Sequence, residues 1–151
     1  MFVFTPIPMR QITLRTMSRV TTIMFVDDDP DDAKIFGEAV KEVDPGINFL
    51  SASSGMKALE ILGHQKTLPD YIFLDVNMPR MNGIQFLETV KKDKKFSSIP
   101  VIMYSTTKSS EHERHARQLG AMYFFTKPIF FDDICTVIRG VINNSSKPNK
   151  K

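Results

Sequence analysis

The sequence has no tryptophan, a single cysteine and no long apolar run. One cysteine, Cys135, cannot form an intramolecular disulfide, so the chain is not a disulfide scaffold and suits a reducing cytosol. Because Cys135 lies in an apolar helical run, we expect a buried small hydrophobic side chain rather than a reactive thiol. No apolar run approaches the roughly 18 residues that a membrane helix needs, so we expect no membrane partner.

Acidic residues are missing from the first 19 and the last nine residues, which explains the basic balance of the chain. The formal net charge of +3 arises from six basic residues in these two segments, and the remaining body is mildly acidic. These residues are Arg10, Arg15, Arg19, Lys147, Lys150 and Lys151. A nucleic-acid-binding protein needs a basic patch on a folded face, so we expect no nucleic-acid partner.

The length and composition fit one globular domain, with 42% hydrophobic and 25% charged residues. In residues 1–19 the positive charges follow a short apolar start, which is the wrong order for a secretory signal. We expect this segment to be a disordered extension, residues 20–143 to form the domain, and residues 144–151 to form a polar basic tail.

Five β-rich apolar segments alternate with helical segments between residues 20 and 143. The predicted strands are 20–26, 47–52, 71–74, 99–104 and 122–126, and the last helix is predicted over about 132–142. The helix after the second strand is predicted to turn Met56, Leu59, Ile61 and Leu62 toward the core. This alternation predicts an α/β fold with a doubly wound, five-stranded parallel sheet, (βα)5, joined by right-handed crossovers.

Polar side chains follow four of the five predicted strands. They are Asp27 and Asp28 after the first, Asp75 after the third, Ser105 after the fourth and Lys127 after the fifth. The carboxyl ends of parallel strands share one edge of a sheet, where such folds bind their ligands. Three carboxylates there repel one another unless a cation compensates, and oxygen ligands of this kind favour Mg²⁺. The lysine and the hydroxyl suit a phosphoryl group, so one carboxylate could form an aspartyl phosphate.

The acids that follow Asp28 have a local explanation. Asp29 before Pro30 predicts a helix N-cap with proline at the first helical position. Asp31 and Asp32 then lie in the first turn, where the helix dipole favours negative charge. We therefore assign these three acids to helix initiation rather than to a ligand.

Four short segments lie at the predicted strand ends: VDDDP, FLDVNMPRMNG, YSTT and FFTKP. In this order and spacing they resemble the receiver domain of bacterial two-component response regulators, over about residues 20–143. The resemblance implies a flavodoxin-like, CheY-like sheet of strand order 2-1-3-4-5. It also implies a stand-alone cytoplasmic phosphorelay switch rather than an enzyme acting on a separate substrate.

Carried over by this resemblance, Asp75 is the phosphoacceptor. Asp27, Asp28 and Asp75 would bind Mg²⁺, Asp28 directly and Asp27 through water, and the backbone carbonyl of Asn77 would be a further ligand. Ser105 is the switch hydroxyl, Lys127 pairs with the phosphoryl group, and Phe124 is the switch aromatic. The Lys127–Pro128 bond resembles the cis peptide of the family.

Residues beside the acceptor depart from the most frequent family pattern. Thr106 is bulkier than the Ala or Gly that often follows the switch hydroxyl, and we expect it to restrict access to the phosphoryl group. Thr107 and Asn77 flank the acceptor and are expected to influence the hydrolysis rate.

The resemblance implies two kinds of partner. A histidine kinase or phosphotransfer protein would supply the phosphoryl group, and a downstream protein would bind the face of the fourth helix, fifth strand and fifth helix, with the chain a monomer or weak dimer. One alternative is a pseudo-receiver that binds partners without phosphorylation. Another is an aspartyl-phosphate phosphatase, which Asn77 disfavours because such enzymes usually place a second acid two residues after the nucleophile.

Overall fold

Apolar and aromatic segments form five strands, and amphipathic segments form four helices between them and a fifth helix after the last strand. The structure is a computed structural model that describes residues 21–107 and 109–146. The strands are β1 (Thr22–Val26), β2 (Asn48–Ala52), β3 (Tyr71–Leu74), β4 (Val101–Ser105) and β5 (Tyr123–Thr126). The helices are α1 (Pro30–Val43), α2 (Gly55–His64), α3 (Gly83–Lys92), α4 (Ser110–Gln118) and α5 (Phe131–Ser146). None of these helices is both long and apolar enough to cross a bilayer.

All five strands are parallel and lie in the order β2-β1-β3-β4-β5, which confirms the predicted topology. The register pairs Val26 of β1 with Leu74 of β3, and Ser105 of β4 with Thr126 of β5. Neighbouring strands therefore end within two residues of the same level, since Leu74 at the end of β3 pairs with Met103 of β4, and the residues that follow the strands emerge on one edge of the sheet.

Helices cover both faces of the sheet, because the strand side chains alternate between two apolar clusters. One cluster packs α1 and α5 against one face, through residues such as Phe36, Ala39 and Ile138. The other packs α2, α3 and α4 against the opposite face, through residues such as Leu62, Phe86 and Ala116. Cys135 belongs to the first cluster and is buried, as predicted.

Aromatic rings fix α1 against the sheet. The ring of Phe36 lies 4.3 Å from that of Phe25, 4.9 Å from Phe73 and 5.4 Å from Tyr104, measured between ring centroids. Each such pair contributes about 0.5–1.5 kcal/mol beyond the area that it buries. The first turn of α1, one turn before Phe36, is thereby held close to the strand ends.

α1 and α3 each begin directly after a residue whose side chain caps the helix. The Asp29 side chain accepts hydrogen bonds from the backbone N–H groups of Asp31 and Asp32, which confirms the predicted N-cap of α1. At α3, Asn82 and Gln85 form a reciprocal capping box, with both hydrogen bonds 2.9 Å long.

Several local predictions differ from the structure. The last helix continues to Ser146 instead of ending near residue 142, because no breaker intervenes and each added residue gains a backbone hydrogen bond. Met56 was expected to face the core but is 61% exposed, since the buried stripe of α2 runs through Ala58 and Leu62. Four strands begin one or two residues later than predicted, at Thr22, Asn48, Val101 and Tyr123, and the fourth strand ends at Ser105 instead of residue 104. The predicted extension, residues 1–19, lies outside the described residues.

The position of Gly83 leaves no space for a side chain. A Cβ atom at this position would overlap the backbone carbonyl oxygen of Asp75 and lie 2.8 Å from Cα of Val76. We expect Gly83→Ala to lower the free energy of unfolding by about 1–3 kcal/mol, because backbone atoms cannot yield as a flexible side chain does.

Gly140→Ala provides the control in chemical denaturation, because a Cβ atom there meets nothing within 4 Å. This change in the middle of α5 should raise stability by about 0.5–1 kcal/mol. Equal effects of the two substitutions would contradict the close approach of α3 to the end of β3.

Candidate functional site

Three strand ends deliver charged side chains to one edge of the sheet. Asp27 follows β1, Asp75 follows β3 and Lys127 follows β5, as the sequence predicts. Each is fixed by a backbone hydrogen bond to a neighbouring strand: the Asp75 N–H donates to the carbonyl oxygen of Val26 (3.0 Å), and the Lys127 N–H donates to that of Ser105 (2.8 Å). The parallel sheet itself therefore brings these residues together.

Three carboxylates form a compact acid cluster. One oxygen from each of Asp27, Asp28 and Asp75 lies within 4.8 Å of the other two. Asp27 and Asp75 are 2% and 5% exposed, whereas Asp28 is exposed. This set contains only oxygen donors and has one open side, an arrangement that suits Mg²⁺, which binds few carboxylates and keeps several waters.

Lys127 lies inside this group of acids. Its Nζ donates to Oδ2 of Asp27 at 2.6 Å and to Oδ2 of Asp32 at 2.7 Å, and lies 3.6 Å from Oδ1 of Asp75. The same ammonium group lies 5.9 Å from the ring centroid of Tyr104. The Lys127 side chain is only 10% exposed, so these contacts are made largely out of water.

The buried charges perturb one another. Burial, together with the charge of Asp27, raises the pKa of Asp75 from its ordinary 3.8 to about 6, although Lys127 and the backbone N–H of Asn77 act in the opposite direction. Burial likewise raises the pKa of Asp27, against its hydrogen bond from Lys127. Burial alone would lower the pKa of Lys127, but its hydrogen bonds to Asp27 and Asp32 outweigh this and raise it.

A cavity of about 350 Å³ opens over the acid cluster. It is lined by Asp27, Asp28, Asp29, Pro30, Asp32, Asp75, Asn77, Thr106 and Lys127. Thr106 therefore stands at the opening, where the sequence predicts an effect on access. Ser105 does not line the cavity and is completely buried.

Ser105, Thr107 and Phe124 lie outside the lining of this cavity, whereas Asn77 lines it. The hydroxyl oxygen of Ser105 accepts a hydrogen bond from the backbone N–H of Thr107 at 3.2 Å. The side-chain amide of Asn77 donates to the hydroxyl of Thr107 at 3.4 Å, which links the loops after β3 and β4. Phe124 is half-buried in β5 and packs against the cluster that holds α2, α3 and α4.

The expected cis peptide at Lys127–Pro128 is wrong: no peptide bond among the described residues is cis. The trans isomer is the intrinsically favoured one even before proline, and only the family resemblance supported the exception.

Asp32 is the site residue that sequence reasoning missed. It was assigned to the helix dipole, but its carboxylate reaches Lys127 instead. The available signal was its position four residues before Phe36 and seven before Ala39, both buried. Residues at these spacings share one helix face, so Asp32 belongs to the face of α1 that turns toward the sheet.

A flavodoxin-like parallel sheet with an acid cluster, a buried lysine and a neighbouring buried hydroxyl at its carboxyl edge defines the receiver class of signalling domains. The sequence model of the response regulator receiver domain matches residues 23–139. The chain belongs to the response regulator receiver family, whose members are signalling switches that bind Mg²⁺ through acidic residues.

Individual relatives agree with this assignment. The protein-glutamate methylesterase/protein-glutamine glutaminase of Treponema pallidum is 38% identical over 110 residues, which cover 70% of this chain and 26% of that protein. Protein PilG of Pseudomonas aeruginosa is 29% identical over 117 residues, which cover 78% of this chain and 84% of PilG. The solved structure of the phosphorylated cyanobacterial phytochrome response regulator RcpA shares the fold, with a TM-score of 0.77 at 23% identity; the match covers 87% of this chain and 100% of that one.

Several relatives are much longer than the region that they share with this chain. The chain spans from 14% to 32% of the length of four of them. The enzymatic activities in their names are those of the whole proteins. This chain is similar only to a part of each of them, and its own matched region is the receiver domain.

The raised pKa of Asp75 makes metal-free stability depend on pH. A carboxyl with a folded pKa near 6 and an unfolded pKa near 3.8 is protonated more in the folded state, so stability falls as pH rises through this window. We therefore compare the free energies of unfolding of the wild type and Asp75→Asn in EDTA. The value for the wild type, relative to that of the variant, should decrease by about 1–3 kcal/mol from pH 4 to pH 7.

Chemical denaturation at several pH values measures this difference. Excess Mg²⁺ should reduce the pH dependence, because the cation compensates the ionised carboxylates of the folded state. A stability difference in EDTA that does not vary with pH would contradict the raised pKa of Asp75 in the folded state.

Proposed function

We propose that this protein receives a phosphoryl group on Asp75 from a histidine kinase or phosphotransfer protein and transmits the signal through a changed protein-binding surface. The observation that carries the proposal is the position of Asp75, a nearly buried carboxylate that borders an open cavity, between two further acids and the Lys127 ammonium group. Such a receiver would work in the cytoplasm, where its phosphodonor is located.

The proposed chemistry is nucleophilic. An oxygen of the ionised Asp75 carboxylate attacks the donor phosphorus, a phosphorus–oxygen bond forms, and the bond to the donor nitrogen breaks with its electron pair. Asp27, Asp28, Asp75 and the carbonyl of Asn77 would hold Mg²⁺, which neutralises charge on the transferred group. Lys127, already 3.6 Å from Asp75, would pair with a phosphoryl oxygen.

The switch would begin at the end of β4. Ser105 is buried while Thr106 lines the cavity, so contact between the Ser105 hydroxyl and a phosphoryl group requires the β4–α4 loop to move inward. Asn77 and Thr107 join this loop to the acceptor loop by a side-chain hydrogen bond. We propose that they influence the lifetime of the phosphorylated state, and that the ring of Phe124 reorients with the loop.

The output surface would be the face formed by α4, β5 and α5. In α4 only Ala116 is buried, and the helix carries a solvent-exposed Glu113–Arg117 ion pair, so few apolar contacts anchor it to the sheet. Weakly anchored elements are the ones that move in switching transitions. A displacement of the β4–α4 loop would therefore shift α4 and alter the surface offered to a downstream protein.

Incubation with acetyl phosphate and Mg²⁺, followed by intact mass measurement, tests the phosphoacceptor. The wild type should gain the mass of one phosphoryl group, and Asp75→Asn should gain none, because an amide is not a competent nucleophile. Phosphorylation of the Asn variant would reject Asp75 as the acceptor. A wild type that binds Mg²⁺ but gains no mass would favour the pseudo-receiver.

Thr106 should limit the rate at which a small donor reaches Asp75, because its side chain lines the opening. We expect Thr106→Ala to increase the phosphorylation rate about three- to tenfold, the change that follows from roughly 1 kcal/mol in the barrier. Thr89→Ala is the matched control, because Thr89 is exposed on α3 and does not line the cavity, so this change should leave the rate nearly unaltered. Equal phosphorylation rates for wild type and Thr106→Ala would show that Thr106 does not restrict access to Asp75.

A further inference from the structure

Asp32 makes one of the two shortest contacts of the buried lysine, although it is not part of the acid cluster. Its Oδ2 accepts from Nζ of Lys127 at 2.7 Å, nearly as close as Asp27 at 2.6 Å and closer than Asp75 at 3.6 Å. The three cluster carboxylates lie after strands, whereas Asp32 lies on α1. Lys127 therefore joins the cluster to a helix.

Helix initiation does not account for Asp32. Asp29 already caps α1 by accepting from the N–H groups of Asp31 and Asp32, and Pro30 occupies the first helical position. The packing of Phe36 holds this turn of the helix in place. The Asp32 carboxylate is thus presented to Lys127 by a rigid element, and it is 35% exposed while the lysine is 10% exposed.

Asp32 borders two adjoining cavities. One is the opening over the acid cluster, and the other has a volume of about 430 Å³ and extends between α1 and the segment after β5. Asp32, Thr106 and Lys127 line both cavities, whereas Asp27 and Asp75 line only the first. The ammonium group therefore has an anionic partner on the side that faces away from the acid cluster.

A cation that binds the cluster must compete with this ammonium group. Nζ of Lys127 already occupies one oxygen of Asp27, and the other oxygen of Asp27 accepts from the backbone N–H of Asp29 at 3.0 Å. A divalent ion that takes up these carboxylates repels the nearby ammonium charge. The repulsion is relieved if the ammonium group keeps a carboxylate partner outside the cluster.

We propose that Asp32 is a positioning residue that holds Lys127 beside the acid cluster and so allows Mg²⁺ to bind there. Asp32 touches neither the metal nor the phosphoryl group and acts through Lys127 alone. Without Asp32, Lys127 would pair only with Asp27 and Asp75. Mg²⁺ would then have to displace the ammonium group from these two carboxylates while no other carboxylate remained to pair with it. This inference rests on the proposed function only in taking Mg²⁺ as the ion of the acid cluster.

Titration of the metal-free protein with Mg²⁺ tests the proposal. The sequence contains no tryptophan, so calorimetry or amide chemical shifts are suitable probes. We expect Asp32→Asn to raise the Kd for Mg²⁺ about three- to tenfold, the effect of losing one partly buried charge pair. Asp32→Glu, which retains a carboxylate within reach of Lys127, should restore much of the affinity.

Asp31→Asn is the matched control, because it removes the same charge from the same helical turn and Asp31 makes no ion pair with Lys127. Its effect on Kd should stay below about twofold at physiological salt, where exposed charges are screened. An equal loss of affinity in Asp31→Asn and Asp32→Asn would overturn the proposal, because it would attribute the effect to the general field of the acids.

A double-mutant cycle tests whether Asp32 acts through the lysine. In a Lys127→Met background, Asp32→Asn should leave the Kd for Mg²⁺ unchanged, and an undiminished effect there would also overturn the proposal. If Lys127→Met does not fold, the comparison of Asp32→Asn, Asp32→Glu and Asp31→Asn still decides.

The outcome is separable from that of the proposed function. Failure of Asp75 to take up a phosphoryl group appears in the mass measurement, whereas failure of the Asp32 proposal appears in metal binding without any phosphodonor. A wild type that binds no Mg²⁺ would overturn the Asp32 proposal directly.

Discussion

A buried ammonium group, that of Lys127, is the interaction on which the rest of the site depends. Three carboxylate oxygens lie within 4.8 Å of one another, two of them on buried residues, so they repel one another, and the lysine compensates part of that charge. Breaking a buried ion pair by removing one partner typically costs about 3–5 kcal/mol, because the remaining charge stays buried. Lys127, which β5 supplies, therefore helps to hold the acids at the strand ends together in the metal-free state.

This dependence links the topology to the chemistry. The order β2-β1-β3-β4-β5 puts β1 and β3 side by side, so Asp27 and Asp75 emerge next to each other. β5 lies at the edge beyond β4, and the long side chain of Lys127 spans the distance to both acids. In the proposed switch, binding of a cation and a phosphoryl group shifts this lysine, and the β4–α4 loop beside it carries the change to α4.

The sequence predicted the fold and most residues at the centre of the site, because both depend on local patterns. A continuous apolar run ending in Asp75 identifies a buried strand and its carboxyl end, and the Asp29-Pro30 pair identifies the helix start. The errors also have local causes. Met56 is apolar but lies off the buried stripe of α2. The α5 boundary was set by the change from apolar to polar residues, whereas a helix ends where its backbone hydrogen bonds end.

The sequence by itself determined which residues stand at the strand ends, since hydrophobic periodicity specifies strands and parallel strands share one edge. Only the tertiary structure decided how those residues pair. Lys127 and Asp32 are 95 positions apart, and no pattern along the chain shows that a helical acid points at that lysine. The sequence also did not decide which of Ser105 and Thr106 meets the cavity, because adjacent residues in an extended segment face opposite ways. In the structure Ser105 is buried and Thr106 lines the cavity.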